Sequence, residues 1–294
     1  MRAKYVNPFT DFGFKKIFGV EANKLLLMDF LNALLPQANH IVDLTFKNPE
    51  QLGLVGTDRK AIFDIYCENA NGEKFIVELQ KAEQNFFKDR TIFYSTFPIR
   101  DQAKKGTWDY QLKAVYCIGI LNFRFDEYGN AAEKDDVVHV VQLKNQHGRV
   151  FYDKLTYVYL EVPNFKKTEA ELASRLDQWL FFLQNLEDFE SVPAIFADTV
   201  FEQAFHTAEL AKLGPAEQDA YEGSLKVYRD WYSIVTTAEG KGREEGREEG
   251  REEGREEGRE EGKREVARNL RAAGLSVELI AAATGLPPSE IDKL

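Results

Sequence analysis

The chain is poor in the residues that small-molecule redox and zinc chemistry would need. Two cysteines, Cys67 and Cys117, in 294 residues give neither a disulfide framework nor a four-thiolate metal centre. Both sit inside apolar, strand-like runs and read as buried thiols of a reducing, cytoplasmic compartment. The four histidines (His40, His139, His147 and His206) show no metal-ligand spacing and receive no catalytic role. No apolar run approaches the ~20 residues of a membrane span, and the stretch Met1 to Asn7 has no signal-peptide core. Positive charge is also short. The net charge of −11 argues against broad non-specific nucleic-acid binding. Five copies of Arg-Glu-Glu-Gly, from Arg243 to Gly262, hold 5 Arg and 10 Glu and so contribute −5 of it. The remainder is acidic too, so any DNA surface has to be a local basic patch.

Aromatic residues are plentiful, with 22 Phe, 12 Tyr and 3 Trp. A chain of this length can bury a sizeable core in one large domain and still carry an accessory region. Its most informative local feature is a pair of acids. Asp64 lies in Ile62-Phe63-Asp64-Ile65-Tyr66-Cys67 and Glu78 in Phe75-Ile76-Val77-Glu78-Leu79-Gln80, both rich in β-branched and aromatic residues. The turn residues Asn69-Ala70-Asn71-Gly72-Glu73 separate them. Side chains alternate along a strand, so Phe63, Ile65, Cys67, Phe75, Val77 and Leu79 form one apolar face. A two-residue loop would pair Asp64 with Leu79 and put an acid on that face. A three-residue loop, Ala70-Asn71-Gly72, pairs Asp64 with Glu78, and Gly72 supplies the left-handed residue that such a loop ends on.

Like charges directly opposite each other destabilise a sheet. A divalent cation such as Mg²⁺ or Mn²⁺, which takes carboxylate oxygens and water, would relieve the repulsion. A nearby Lys or Arg would as well. The plain alternative is a solvent-facing hairpin edge where two acids happen to align.

Around the hairpin the pattern predicts a helix over 23–35, with Leu25, Met28, Leu31 and Leu35 at helical spacing and Pro36 as its stop. A strand follows near 41–46. After the hairpin come a helix over 83–105, kinked at Pro98 and stopped by Gly106, and a buried central strand over 112–121. Two further strands are expected over 137–143 and 155–162. The order is αβββαβ. In the helix after the hairpin, Phe86, Arg90, Phe93 and Phe97 share a face. Arg90 then has two readings: its head reaches the acids or a scissile phosphate, or its stem packs and its head snorkels to solvent.

Asp, then Glu-x-Lys on the next strand, is the signature of the PD-(D/E)XK nuclease superfamily. The chain resembles its branch of PD-(D/E)XK family transposases, or recombination-promoting nucleases. The matching stretches run from Asn7-Pro8-Phe9-Thr10-Asp11-Phe12-Gly13-Phe14-Lys15-Lys16-Ile17-Phe18-Gly19, through Asp58-Arg59-Lys60-Ala61-Ile62-Phe63-Asp64-Ile65 and Phe75-Ile76-Val77-Glu78-Leu79-Gln80, to Val115-Tyr116-Cys117-Ile118-Gly119-Ile120-Leu121-Asn122-Phe123. The resemblance implies an α/β fold with a restriction-endonuclease-like αβββαβ core and extra strands. It implies a Mg²⁺-dependent DNA endonuclease tied to recombination, mobile elements or defence, with Asp64 and Glu78 as metal ligands and Asp64, Glu78 and Gln80 as catalytic residues. The chain departs from the superfamily signature at one position: Gln80 stands where the superfamily carries Lys, although the resembled branch commonly carries Gln. An amide can orient a water but brings no charge. Either the metal carries more of the work, or another cation (Lys60, Lys81, Lys88 or Arg90) substitutes, or the fold is degenerate and acts as a non-catalytic oligomeric DNA- or protein-binding module. Lys15 and Lys16 meet phosphate or are solvated; Asp58 is a further ligand or a turn residue.

Beyond the core, 1–165 is expected as the nuclease-like domain and 166–239 as a helical subdomain. Its signals are the capping box Thr168-Glu169-Ala170-Glu171 and two stripes: Leu172, Leu176, Trp179, Leu183 and Leu186, then Tyr221, Leu225, Tyr228, Tyr232 and Val235. The repeat within 240–262 has a period of four and no apolar seam. Each Gly costs a helix about 1 kcal/mol against Ala, so it reads as a helical or flexible spacer, or as a stalk pairing with copies of itself. The last part, 263–294, reads as a small helix-turn-helix-like unit, too poor in basic residues for DNA reading and suited to docking on protein. Homo-oligomers through the helical region and tail are therefore expected.

Overall fold

Alternating apolar strands with a Gly-ended turn, followed by an uninterrupted apolar run, build a six-stranded mixed sheet. The computed structural model describes residues 3–36, 39–51, 61–82, 86–103, 109–125 and 133–294. Asp58, Lys60 and Gly106 lie outside the described residues.

The chain divides into two units, Met1–Tyr228 and Arg229–Leu294. The first begins with α1 (Asp11–Phe18) and α2 (Lys24–Leu34), followed by β1 (Leu44–Phe46) and a two-stranded ribbon of β2 (Glu50–Gln51) and β3 (Ala61–Ile62). The hairpin is β4 (Ile65–Asn69) and β5 (Lys74–Gln80). Then come α3 (Phe87–Arg100), β6 (Val115–Leu121), β7 (Val138–Lys144), β8 (Val150–Glu161), α4 (Arg175–Asn185) and α5 (Thr199–Ala208). The sheet order is β1-β4-β5-β6-β8-β7. β5, β6 and β8 run parallel, while β1/β4, β4/β5 and β7/β8 are antiparallel. This is the mixed α/β, restriction-endonuclease-like fold expected from the αβββαβ order. Every residue of β6 is buried, as its apolar run predicts for a central parallel strand.

Both faces of the sheet are covered. Ile65, Cys67, Phe75, Val77, Leu79, Ile118 and Ile120 join one core with α1, α2, α4 and α5. Tyr66, Ile76, Cys117, Leu121 and Tyr159 join a second core beneath α3. The helices after residue 165 share the first core with the sheet, so the expected break between 165 and 166 does not separate two cores. Trp179, Phe182, Phe196, Phe201 and Phe205 are its densest aromatic group.

The structure moves several local expectations. Leu25 is 56% exposed, and α2 buries Leu26, Leu27, Phe30 and Leu31 instead, the face turned toward α1 and α4. Phe63 leaves the face assigned to it. The strand breaks at Phe63-Asp64, where the chain leaves the main sheet for the ribbon, and the Phe63 ring drops into the second core against Tyr66 and Tyr94. α3 ends at Arg100 with Pro98 in its last turn. Its buried side holds Phe87, Ser95, Phe97 and Pro98. Phe86 is 77% exposed in a left-handed conformation (φ 62°), so the inner stripe is shifted from the one that spacing suggested. The Thr168 capping box caps only a short 3-10 turn; α4 starts later, at a second box formed by Ser174 and Asp177. Tyr232 is exposed, while Tyr221 and Leu225 are buried in the first core.

α6 (Pro215–Ala272) is one helix of 58 residues that includes the whole Arg-Glu-Glu-Gly repeat. In the second unit, Gly274 (φ 82°) ends it, and α7 (Val277–Thr284) and α8 (Pro288–Ile291) follow, as the capping signals predicted. Ala267, Ile280, Leu286 and Ile291 form a small core of their own. No helix among the described residues is long and apolar enough to cross a membrane.

Candidate metal-binding site

The β4/β5 register decides the site. Ile65 faces Val77 and Glu68 faces Lys74, which continues to Asp64 opposite Glu78 and leaves Ala70-Asn71-Gly72 as the loop. Gly72 adopts φ 79° there, and its N–H donates to the Asn69 carbonyl. Where the strand breaks, side chains take over the ladder. The Leu79 N–H donates to Asp64 Oδ2 at 2.7 Å, and the Asp64 N–H donates to Glu78 Oε1 at 3.2 Å. Each acid is thereby held by the backbone of the other strand. Both acids are partly buried, the Asp64 side chain being 22% exposed.

Burial, together with repulsion from Asp64, pushes the Glu78 carboxyl up to about 8. Burial raises Asp64 too, against the pull of the Leu79 N–H and the Lys15 charge. The two acids thus ionise together only with difficulty when no cation lies between them.

Gln80 and Arg90 complete the inner side. Arg90 Nη2 donates to Gln80 Oε1 at 2.6 Å, and Gln80 Nε2 donates to Glu78 Oε2 at 3.3 Å. The Arg90 guanidinium lies 5.6 Å from the Phe87 ring centre and 5.9 Å from that of Tyr94. Its head therefore turns to the site. These contacts fix the Gln80 amide: its oxygen is taken by Arg90, and its nitrogen faces the acid. A cavity of about 20 Å³ behind it, lined by Glu78, Gln80, Arg90, Tyr94 and Gly119, is large enough for one water. A second cavity, of about 800 Å³ among Leu35, Asn39, Lys113, Tyr116 and Lys154, contains none of the expected site residues.

α1 supplies what strand-based reasoning left unassigned. Thr10 caps it, accepting from the Gly13 N–H at 3.0 Å, and a Cβ on Gly13 would stand 2.1 Å from the Asn7 carbonyl oxygen. Phe14, Ile17 and Phe18 bury its inner face. Its outer face brings Lys15 Nζ to 3.8 Å from Asp64 Oδ1 and 2.7 Å from Asp11 Oδ1. Although burial favours its neutral form, attraction to Asp11, Asp64 and Glu78 raises the Lys15 pKa and keeps it charged. Asp11, to which the sequence reading gave no role, joins the electrostatics of Asp64. Its signal was the helical i, i+4 spacing to Lys15 within the matched N-terminal motif.

The remaining candidates separate. Lys16 turns to Glu217 at 2.5 Å. Lys88 lies 5.1 Å from the Phe125 ring centre. Half-buried Lys81 lies 5.8 Å from the Tyr228 ring centre; burial lowers its pKa, and it feels both Asp11 and Asp64. Cys67 and Cys117 are free and buried, with thiols pushed up by desolvation, Cys67 to about 12.

Among the described residues no three His, Cys, Asp or Glu side chains stand close enough to cage a metal unaided. Two carboxylates are nevertheless a donor set suited to Mg²⁺, which keeps several waters and takes one or two protein carboxylates plus substrate phosphate. The raised carboxyl pKa values fit such a group, because they mark charge that the protein alone leaves incompletely balanced.

A sequence profile described as PD-(D/E)XK nuclease family transposase matches residues 8–238. No curated protein and no solved structure matches the chain.

Proposed function

The chain belongs to the PD-(D/E)XK nuclease family transposases, and on that premise we propose that it is a Mg²⁺- or Mn²⁺-dependent endonuclease cleaving phosphodiester bonds in DNA. The observation that carries this reading is the clasp between Asp64 and Glu78, two partly buried acids held by each other's strands with their ionisation impeded. Asp64 and Glu78 would hold the ion. When bound, it supplies a Lewis acid that activates water and offsets charge at the phosphorus.

The chain's own residues do the positioning. Leu79 N–H and Asp64 N–H fix the two carboxylates so that no reorganisation is needed on substrate arrival. Arg90 locks Gln80 with its NH₂ group forward, so Gln80 orients a water or a phosphate oxygen by donating to it. A carboxamide does not take up a proton near neutral pH, so Gln80 is not the base. The resemblance ties such cleavage to recombination, mobile elements or defence, and the α6 repeat and the small unit after it would serve homo-oligomer formation.

The test is cleavage of supercoiled and linear DNA, with RNA in parallel, with and without Mg²⁺ or Mn²⁺. We expect metal-dependent nicking that Asp64→Ala and Glu78→Ala each abolish. Equal nicking by wild type and both variants would overturn the site. DNA binding without cleavage in any cation would favour a non-catalytic binding module, the reading that the Gln80 replacement supports.

A further inference from the structure

We propose that Lys15, presented by α1, is the ammonium that replaces the lysine missing at position 80; this rests on the nuclease reading above. Among the described residues three cations, Arg90, Lys81 and Lys15, stand near the acids, and their geometry separates them. Arg90 is committed inward, to the oxygen of Gln80 and the rings of Phe87 and Tyr94. Lys81 lies near the Tyr228 ring. Lys15 alone of the three forms an ion pair with Asp64, at Oδ1, the oxygen not bonded to the Leu79 N–H.

Lys15 is free to exchange partners. Its closer contact, to Asp11, is a half-exposed i, i+4 pair, a kind that contributes little to stability. A phosphate oxygen replaces such a partner readily. The platform beneath is rigid, since α1 is capped by Thr10 and anchored by buried Phe14, Ile17 and Phe18. Lys15 thus donates to a non-bridging phosphate oxygen and to the attacking water while staying protonated. The water oxygen forms the new P–O bond and the bond to the leaving sugar oxygen breaks. One water proton passes to solvent and the leaving oxygen takes one back, so the sum is addition of one water.

The test uses the full chain with two readouts, cleavage kinetics and calorimetric Mn²⁺ affinity, on Lys15→Met, Lys15→Arg, Lys81→Met and the double variant Lys15→Met/Gln80→Lys. Lys15→Met should lower kcat about 100-fold or more with KM changed little. Mn²⁺ binding should be kept and tightened a few-fold, because a competing positive charge is gone. Lys15→Arg should retain part of the rate, Lys81→Met should lose less than Lys15→Met, and the double variant should regain at least tenfold. Lys15→Met within threefold of wild type, a larger loss in Lys81→Met, or rate and Mn²⁺ binding lost together would each overturn the assignment. If wild type cleaves nothing, the nuclease reading fails by itself. Lys15 is then judged on Mn²⁺ alone, where unchanged or weaker binding in Lys15→Met removes it from the site.

Discussion

Two clusters of half-buried charge, one at Arg175 and one at Asp64/Glu78, follow opposite logic. Arg175 binds Asp29 at 2.7 Å and takes Asp198 with both terminal nitrogens at 2.7 and 3.2 Å, with its guanidinium over the Phe201 ring. Trp179 Nε1 adds a donor to Asp29. There, burial that would raise the Asp198 pKa is overcome by Arg175, and the pKa falls. At Asp64/Glu78 the burial is deeper and is not overcome, and both carboxyls rise. The first cluster is complete without a ligand and reads as structural; the second leaves two carboxyls without a matching cation contact, and on the function proposed above a divalent ion completes it. Perturbed charge marks function where the protein could have neutralised it and did not.

Substitutions can break this contrast from either side. The largest effect should follow Asp64→Asn or Glu78→Gln: metal-dependent cleavage falls at least about 100-fold, while chemical denaturation shows no loss of stability, since a repelling charge is removed. Next, Arg90→Met should cost about 10- to 100-fold in cleavage rate through the freed Gln80 amide, the size seen for groups that orient metal-site residues, with Mn²⁺ affinity the accompanying readout. Arg175→Met should do the reverse, destabilising the fold by about 1.5–3 kcal/mol in urea titration while the folded fraction cleaves normally.

The pH dependence sharpens the comparison further. The folded Glu78 pKa lies above its unfolded value of 4.5, so the neutral carboxyl favours the fold. That contribution is full below pH 4.5 and is lost as pH rises through about 8. Metal-free protein should therefore show a melting temperature that falls from about pH 4.5 to about pH 8 and levels off above it, an effect reversed by Mg²⁺ and flattened in Glu78→Gln. The smallest effect should come from the repeat. Gly254→Ala should raise α6 stability by up to about 1 kcal/mol, read by circular dichroism, and leave cleavage unchanged.

The clasp itself was legible in the sequence because strand alternation and a Gly-ended loop together admit one register. The αβββαβ order was legible for the same reason: periodicity and turn residues are local signals. What escaped were features set by tertiary geometry. Phe63 changes core because the chain switches sheets beside it, which alternation within a run does not reveal. Arg90 stood in a plausible stripe, but the left-handed Phe86 shifts the helix face, and only the fold shows its head on Gln80. The N-terminal motif already makes Lys15 a phosphate candidate, but its pairing with Asp64, 49 positions later, was not legible, because no spacing rule joins a helix surface to a strand end across that distance.

The central claim is that Asp64 and Glu78 are jointly unfinished without a divalent cation. A calorimetric Mn²⁺ titration at pH 7, in two buffers of different ionisation heat, tests it most directly. The account predicts saturable binding with proton release, because ion binding drives off a proton that the buried pair retains, and loss of that binding in both Asp64→Ala and Glu78→Ala. Undiminished binding in the two variants, or none in the wild type, would contradict it.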